Sequence, residues 1–167
     1  MITKNFKNIV ATLITAGANV GMLPVTIESG SIYYVSASFS LFPYSVSGGI
    51  KVGNGSTQPT ENDYGLNSRI DSGLTTSQII NRGVDNESAY IEFIITLTNT
   101  SSSNITVSEI GYFPLLRGSS TQGASGNTQL TVMLDRTILD EAVVIPANGN
   151  AVIKYRISGS VSTASVA

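Results

Sequence analysis

The sequence predicts an all-β protein, an antiparallel β-sandwich or jelly-roll-like barrel with one N-terminal amphipathic helix. Three observations carry this expectation. From Val25 onward the apolar residues alternate with a period of two rather than recurring at helical spacing. The apolar segments are short and rich in β-branched and aromatic residues. Clusters of Gly, Ser, Asn and Pro separate them, as turns separate the strands of a sandwich. One domain over residues 1–167 is expected, with the helix over 1–17 and a C-terminal arm over 158–167.

The helix rests on Phe6, Ile9, Val10, Leu13 and Ile14, which fall on one stripe, while Lys4, Lys7, Asn8 and Thr12 take the other side. Thr3 or Asn5 is the expected N-cap and Gly17 the stop. Lysines followed by the run from Ile9 to Ile14 and by Ala16-Gly17-Ala18 imitate a secretory leader. The helical stripe fits the segment better, and the run is far shorter than the roughly 20 residues a membrane-spanning helix needs.

The next segment, VTIESGSIYYVSASFSLF, reads as a hairpin. Val25 and Ile27 share a face, residues 28–31 turn, and Tyr33, Val35, Ala37, Phe39 and Leu41 line the return strand until Pro43 ends it. YIEFIITLTNT sets Ile91, Phe93, Ile95 and Leu97 on one face, with Ile94 giving partial cover on the other, the pattern of a central strand. A turn at 101–104 leads to ITVSEIGYF, and LTVMLDRTI reads as one strand with Leu130, Val132 and Leu134 in phase. AVIKYRI alternates Ile153, Tyr155 and Ile157 with Lys154 and Arg156, a half-exposed strand. RGSSTQGASGN, at 117–127, is an exposed loop by composition.

Composition excludes several classes of function. Among 167 residues there is no cysteine and no histidine, which removes thiol nucleophiles, Ser-His-Asp triads, imidazole bases and the usual zinc, copper and iron ligand sets. Nine Lys and Arg against eleven Asp and Glu give a net charge of −2, which supplies no basic field for nucleic acid or anionic lipid. No nucleic-acid or membrane partner and no cofactor or metal is therefore expected. Carboxylate pairs for a glycosidase reduce to Glu61 with Asp63 and Asp140 with Glu141, neighbours too close in sequence to flank a glycosidic bond.

The stretch VGNGSTQPTENDYGL, residues 52–66, is the most distinctive. As a phosphate loop it lacks the GK[ST] that would supply a cation and a helix N-terminus. As a calcium loop, Asn54, Glu61, Asn62 and Asp63 offer oxygen without EF-hand spacing. The simplest reading is a turn in which Gly53 and Gly55 adopt positive backbone angles before Tyr64 and Leu66 return to the core.

The order GGIKVGNGSTQPTENDYGLNSRI, a long apolar strand, then ITVSEIGYF resembles small structural proteins of tailed bacteriophages, of the tail-collar, fibre-attachment or minor virion type. The likeness runs from Gly48 to Phe113, and LDRTILDEAVVIPANGNAVIKYRI further on is similar to the closing strands of minor virion proteins. Val52, Gly53 and Gly55 match the glycine turn, Asp63 and Leu66 the element after it, and Glu109, Ile110 and Gly111 the EIG strand. The resemblance brings no active site. It implies a structural or adaptor role in the virion, at the neck, tail, fibre base or capsid surface. The partners it implies are other virion proteins and further copies in a ring or trimer, through the helix stripe and strands 32–42 and 130–134. With no heptad run or collagen-like repeat, the chain departs from fibre shafts.

Glu109 stands amid Ile105, Val107 and Ile110, where a charge is costly unless it is exposed or paired. It is either outward at an edge or, since it alternates with Ile105 and Val107, partly buried, and a buried carboxylate would take hydrogen bonds from the glycine turn or a partner among Arg69, Arg82 and Arg136. Tyr44 and Tyr64 lie near turns and are the candidate partner-binding residues, for a host-surface glycan if the chain is instead a receptor-binding or adhesin-like module. The Asn-X-Ser/Thr sequons, at Asn54, Asn86, Asn99 and Asn104, follow from a chain rich in these residues.

Overall fold

In a computed structural model, which describes residues 1–14, 23–35, 40–42, 49–85, 88–118 and 128–160, the chain is all-β with one short helix, and every register-assigned strand pair is antiparallel. The chain divides into two compact units. One comprises Met1–Ile70 with Thr106–Ala142, the other Asp71–Ile105 with Val143–Ala167.

The first unit opens on helix α1, Lys4–Ile14, shorter at its start than expected. Residues 1–3 are extended, with Ile2 bridged to Asp135 and the Thr3 amide donating to the Leu134 carbonyl. Thr3 is the N-cap: its Oγ1 accepts the Phe6 amide at 3.4 Å and donates to Met133 O at 2.8 Å. Asn5, the other candidate, lies inside the helix and stitches it to the first strand, exchanging bonds of 2.7 Å with the carbonyl and amide of Thr26. Gly17 lies outside the described residues.

The hairpin is present as β1, Leu23–Thr26, and β2, Ile32–Val35. Its turn closes through Ile27 N to Ser31 O, with Gly30 at φ 83°. Ala37, Phe39 and Pro43 lie outside the described residues, and β3, Ser40–Phe42, pairs with a different strand.

Two three-stranded sheets complete the unit. β4 (Gly49–Gly53), β7 (Ile105–Phe113) and β10 (Asp135–Ile145) are ordered β10-β7-β4; β3, β8 (Leu115–Gly118) and β9 (Thr128–Thr131) are ordered β3-β8-β9. Arg117 and Gly118, expected in a loop, extend β8; residues 119–127 lie outside the described set.

LTVMLDRTI is not one strand. It breaks at 132–134, where the chain leaves its pairing with β8, and Val132 N and Leu134 N donate to Pro114 O and Tyr112 O. Alternation fails there because Val132, Met133 and Leu134 are all buried, while Met133 O turns to accept Thr3 and Asn5. Of the apolar residues expected to meet other copies, Ile9, Val35, Leu130, Val132 and Leu134 are buried, while Ile32 and Tyr34 are exposed.

The second unit holds one sheet, β11-β6-β5, built from β5 (Leu74–Asp85), β6 (Ser88–Asn99) and β11 (Asn150–Ser160). β6 is central, as its sequence predicts, and Phe93, Ile95 and Leu97 are buried with Ile153 and Tyr155 on the neighbouring β11. Strand β5 was not legible: LTTSQIINRGVD is mostly exposed on both faces, so no clear apolar alternation marks it. Residues 158–160, expected in a C-terminal arm, continue β11 opposite Tyr90, Ala89 and Ser88.

The link from β6 toward β7 is ordered by one buried side chain. Asn99 Nδ2 donates to the carbonyls of Ser103, Ile145 and Pro146 at 2.8, 3.0 and 3.0 Å, and Oδ1 accepts the Ser101 amide and hydroxyl. One carboxamide thereby fixes the 101–104 turn and the start of the turn that joins β10 to β11.

Candidate functional site

Residues 54–69 leave β4 and return to it as a closed loop. Gly53 bridges Arg69, Asn54 N donates to Ser68 O at 2.9 Å, and Ile70 N donates to Val52 O at 3.0 Å. A loop of this length with adjacent ends is an Ω-loop, and such loops hold shape only if their interior polar groups are satisfied.

Glu109 satisfies them from β7. Its side chain is 0% exposed. Oε1 accepts the amides of Gly55 at 3.2 Å and Ser68 at 2.7 Å; Oε2 accepts the Asn67 amide at 3.2 Å. Both ends of the loop are thus tied to one carboxylate. A buried charge without a counter-charge would cost several kcal/mol or more, and Arg136, at the start of β10 and 2% exposed, supplies it. Its Nε and Nη2 lie 2.9 and 2.8 Å from Glu109 Oε2.

The same guanidinium reaches further into the loop. Nη1 donates to Asp63 Oδ2 at 2.7 Å and Nη2 to Thr57 O at 3.0 Å. Asp63 in turn accepts the Thr60 amide and hydroxyl. Partial burial works against the charged form of Asp63, but the Thr60 bonds and Arg136 together hold its carboxyl below its ordinary range. Of the three arginines considered from sequence, Arg136 is the partner, Arg69 pairs with Glu28, and Arg82 is on β5.

The glycines serve this arrangement in a way the sequence reading missed. Neither Gly53 nor Gly55 has a positive φ, so a turn conformation is not what requires them. The requirement is space. A Cβ on Gly53 would stand 2.5 Å from Ser68 O and against the Glu109 carboxylate, and one on Gly55 would stand 2.6 Å from Glu109 Oε1. Gly111 plays the same part for Leu66, whose Cδ2 would be 2.9 Å from a Cβ there. Val52 and Ile110 are both buried and face each other in the β4–β7 register, and the next pair is Gly53 with Glu109. Of the eight residues of the resemblance, Gly53, Gly55, Asp63 and Glu109 meet around Arg136, Gly111 packs against Leu66, and Val52 and Ile110 form the adjacent pair of the β4–β7 ladder.

Tyr64 sits on the outer side of the loop, 45% exposed, with its ring close to the Gly30 turn. It borders a surface cleft of about 590 Å³ shared with Glu28, Asn62, Asp63, Asn67 and Arg69. Charges along this cleft are paired: Glu28 takes Lys51 and Arg69, and Asp63 takes Arg136. Lys51 Nζ also lies 4.6 Å over the Phe113 ring. Tyr44 lies outside the described residues. Of the carboxylates considered for calcium or glycoside chemistry, Glu61 is held by Lys7, and that bond holds its carboxyl below its ordinary range. Asp140 and Glu141 are exposed on β10. Among the described residues, no group of three or more His, Cys, Asp or Glu side chains is placed to hold a metal ion.

Sequence reasoning found Glu109 and the glycines but not Glu28, Thr57 or Ser68. Their part depends on loop closure, and two of the three contribute backbone atoms, which carry no sequence signal. The chain matches no family model, no curated protein and no solved structure.

Proposed function

We propose that this chain is a non-enzymatic structural component of a tailed-bacteriophage virion, which self-associates and docks at the neck, tail, fibre base or capsid surface. The supporting observation is that four residues of the resemblance, Gly53, Gly55, Asp63 and Glu109, meet in one network with Arg136, while Val52, Ile110, Gly111 and Leu66 pack beside it on the same strand pair and loop. Both Glu109 oxygens are occupied by backbone amides and a guanidinium, so the group most suited by burial to chemistry is committed to holding a loop. A loop fixed in this way presents a rigid surface at little entropic cost on docking, which suits a scaffold or adaptor. Mass spectrometry and cryo-electron microscopy of particles purified from the source test the role. Density for this chain at a defined lattice or vertex position is expected, and its absence from the particle sinks the proposal.

A second reading, a receptor- or glycan-binding β domain, is favoured by Tyr64. An exposed aromatic beside a cleft of paired charges and amide side chains suits a neutral polyhydroxyl ligand. Glycan-array binding lost in Tyr64→Ala or Tyr44→Ala at unchanged thermal stability would put this reading first. Absence of binding to any immobilised glycan removes it.

A further inference from the structure

β5 is the outer strand of its sheet. It pairs with β6 without interruption from Leu74 opposite Asn99 to Asp85 opposite Ser88, and among the described residues no strand lies on its other side. Sheet edges are ordinarily blunted by shortness, proline, lysine or a bulge. LTTSQIINRGVD has neither proline nor lysine and runs in regular register over 12 residues. It also carries the two most exposed large aliphatic side chains among the described residues, Val84 at 74% and Ile79 at 64%.

We propose that a second copy of this chain adds to β5, antiparallel across a two-fold axis, with Ile79 opposite its own counterpart. The strand's own pattern selects both the partner and the register. Where a sheet continues across a dyad perpendicular to it, opposite residues share a face, so odd positions meet odd and even meet even. Centred on Ile79, the pairs are Ile79 with Ile79, Gln78 with Ile80, Ser77 with Asn81, Thr76 with Arg82, Thr75 with Gly83 and Leu74 with Val84. Both exposed aliphatics gain an apolar partner, and no charge faces its like. Centring on Ile80 sets Val84 against Thr76 and Ile79 against Asn81. Centring on Gln78 sets Arg82 against Leu74 and carries Val84 past the strand, and centring on Arg82 opposes two guanidiniums. An unrelated strand would have no reason to match this internal two-fold pattern.

The result is a continuous six-stranded sheet, β11-β6-β5 followed by the partner's three strands in reverse order. This interface gives the self-association of the proposed virion role its surface. For its purpose it rests on that reading, but its geometry does not.

The absence of cysteine from the chain makes the test direct. Directly opposite residues of an antiparallel pair stand about 4.5–5.5 Å apart at Cα, within the span of a disulfide. The Ile79→Cys variant should therefore give a covalent dimer on a non-reducing denaturing gel. Val152→Cys, similarly exposed but on β11, should stay single-chain. By light scattering the wild-type chain should have the mass of a dimer or a larger even assembly, and Ile79→Lys should halve it while the chain stays folded by circular dichroism. A wild-type monomer, equal cross-linking at both positions, or an Ile79→Lys variant of unaltered mass overturns the interface. A dimer of this kind in a chain absent from virions would sink the role and leave the interface standing. A virion chain that fails the cysteine test would do the reverse.

Discussion

Arg136 Nε lies 2.9 Å from Glu109 Oε2, and both side chains are closed off from solvent while Arg136 Nη1 and Nη2 reach Asp63 and the Thr57 carbonyl. One ion pair between neighbouring strands β7 and β10 thereby fixes a loop that belongs to neither. Its loss should be felt along the whole of 54–69.

Glu109→Gln keeps the shape and removes the charge. The new NH₂ would face an amide or guanidinium donor whichever way the group is turned, and Arg136 would lose its buried counter-charge. Breaking a buried pair on one side costs about 3–5 kcal/mol, so a fall in melting temperature on the order of 10 °C is expected. A melting temperature equal to that of the wild type in a thermal scan would remove the stabilising role assigned to Glu109.

Gly53→Ala should cost more than Gly30→Ala, although only Gly30 has a positive φ. At Gly30 the added methyl meets Tyr64 at an ordinary 3.5 Å, so the penalty is backbone strain of about 1–2 kcal/mol. At Gly53 it meets a backbone carbonyl and the Glu109 carboxylate, an overpacking of roughly 3 kcal/mol. Urea unfolding of the two variants gives the order directly, and the reverse order would mean that turn conformation dominates.

Asn99→Asp should destabilise the second unit more than Asn99→Ala. Alanine removes bonds to three carbonyls and to Ser101, a loss of about 2–4 kcal/mol. Aspartate keeps the bonds to Ser101 but turns a carboxylate oxygen toward the carbonyls of Ser103, Ile145 and Pro146. Hydrogen exchange at residues 101–104, compared between the variants, measures the effect where it originates.

Stability should fall at both ends of the pH range. The Asp63 and Glu61 carboxyls titrate below their ordinary range in the folded chain. The stability they contribute is present above their unfolded values, near pH 4, and is lost as pH falls through the lower folded values. Tyr112 works at the other end: burial pushes its phenol up to about 12. Below pH 10 it is neutral in both states. From there to about 12 only the unfolded chain releases the proton, so stability declines by up to roughly 2–3 kcal/mol. Urea midpoints across these ranges for wild type and Tyr112→Phe check the sign, since the phenylalanine variant should lose much of the alkaline decline.

The sequence by itself determined the class of fold and several strands, because alternating burial is a local pattern. β6 and β11 are written in Phe93, Ile95 and Leu97 and in Ile153 and Tyr155, and the capped helix in Thr3 and the Ile9 stripe. It also marked Glu109, since a carboxylate among Ile105, Val107 and Ile110 is too costly to bury unpaired. β5 escaped notice because an exposed edge strand needs no apolar face, and LTVMLDRTI misled because Val132 to Leu134 are buried on every side. Only the tertiary structure decided which arginine meets Glu109 and why Gly53 and Gly55 are glycines. Those answers depend on the distance between segments far apart in the chain, and such distances follow from strand order and loop closure, not from any residue's neighbours in sequence.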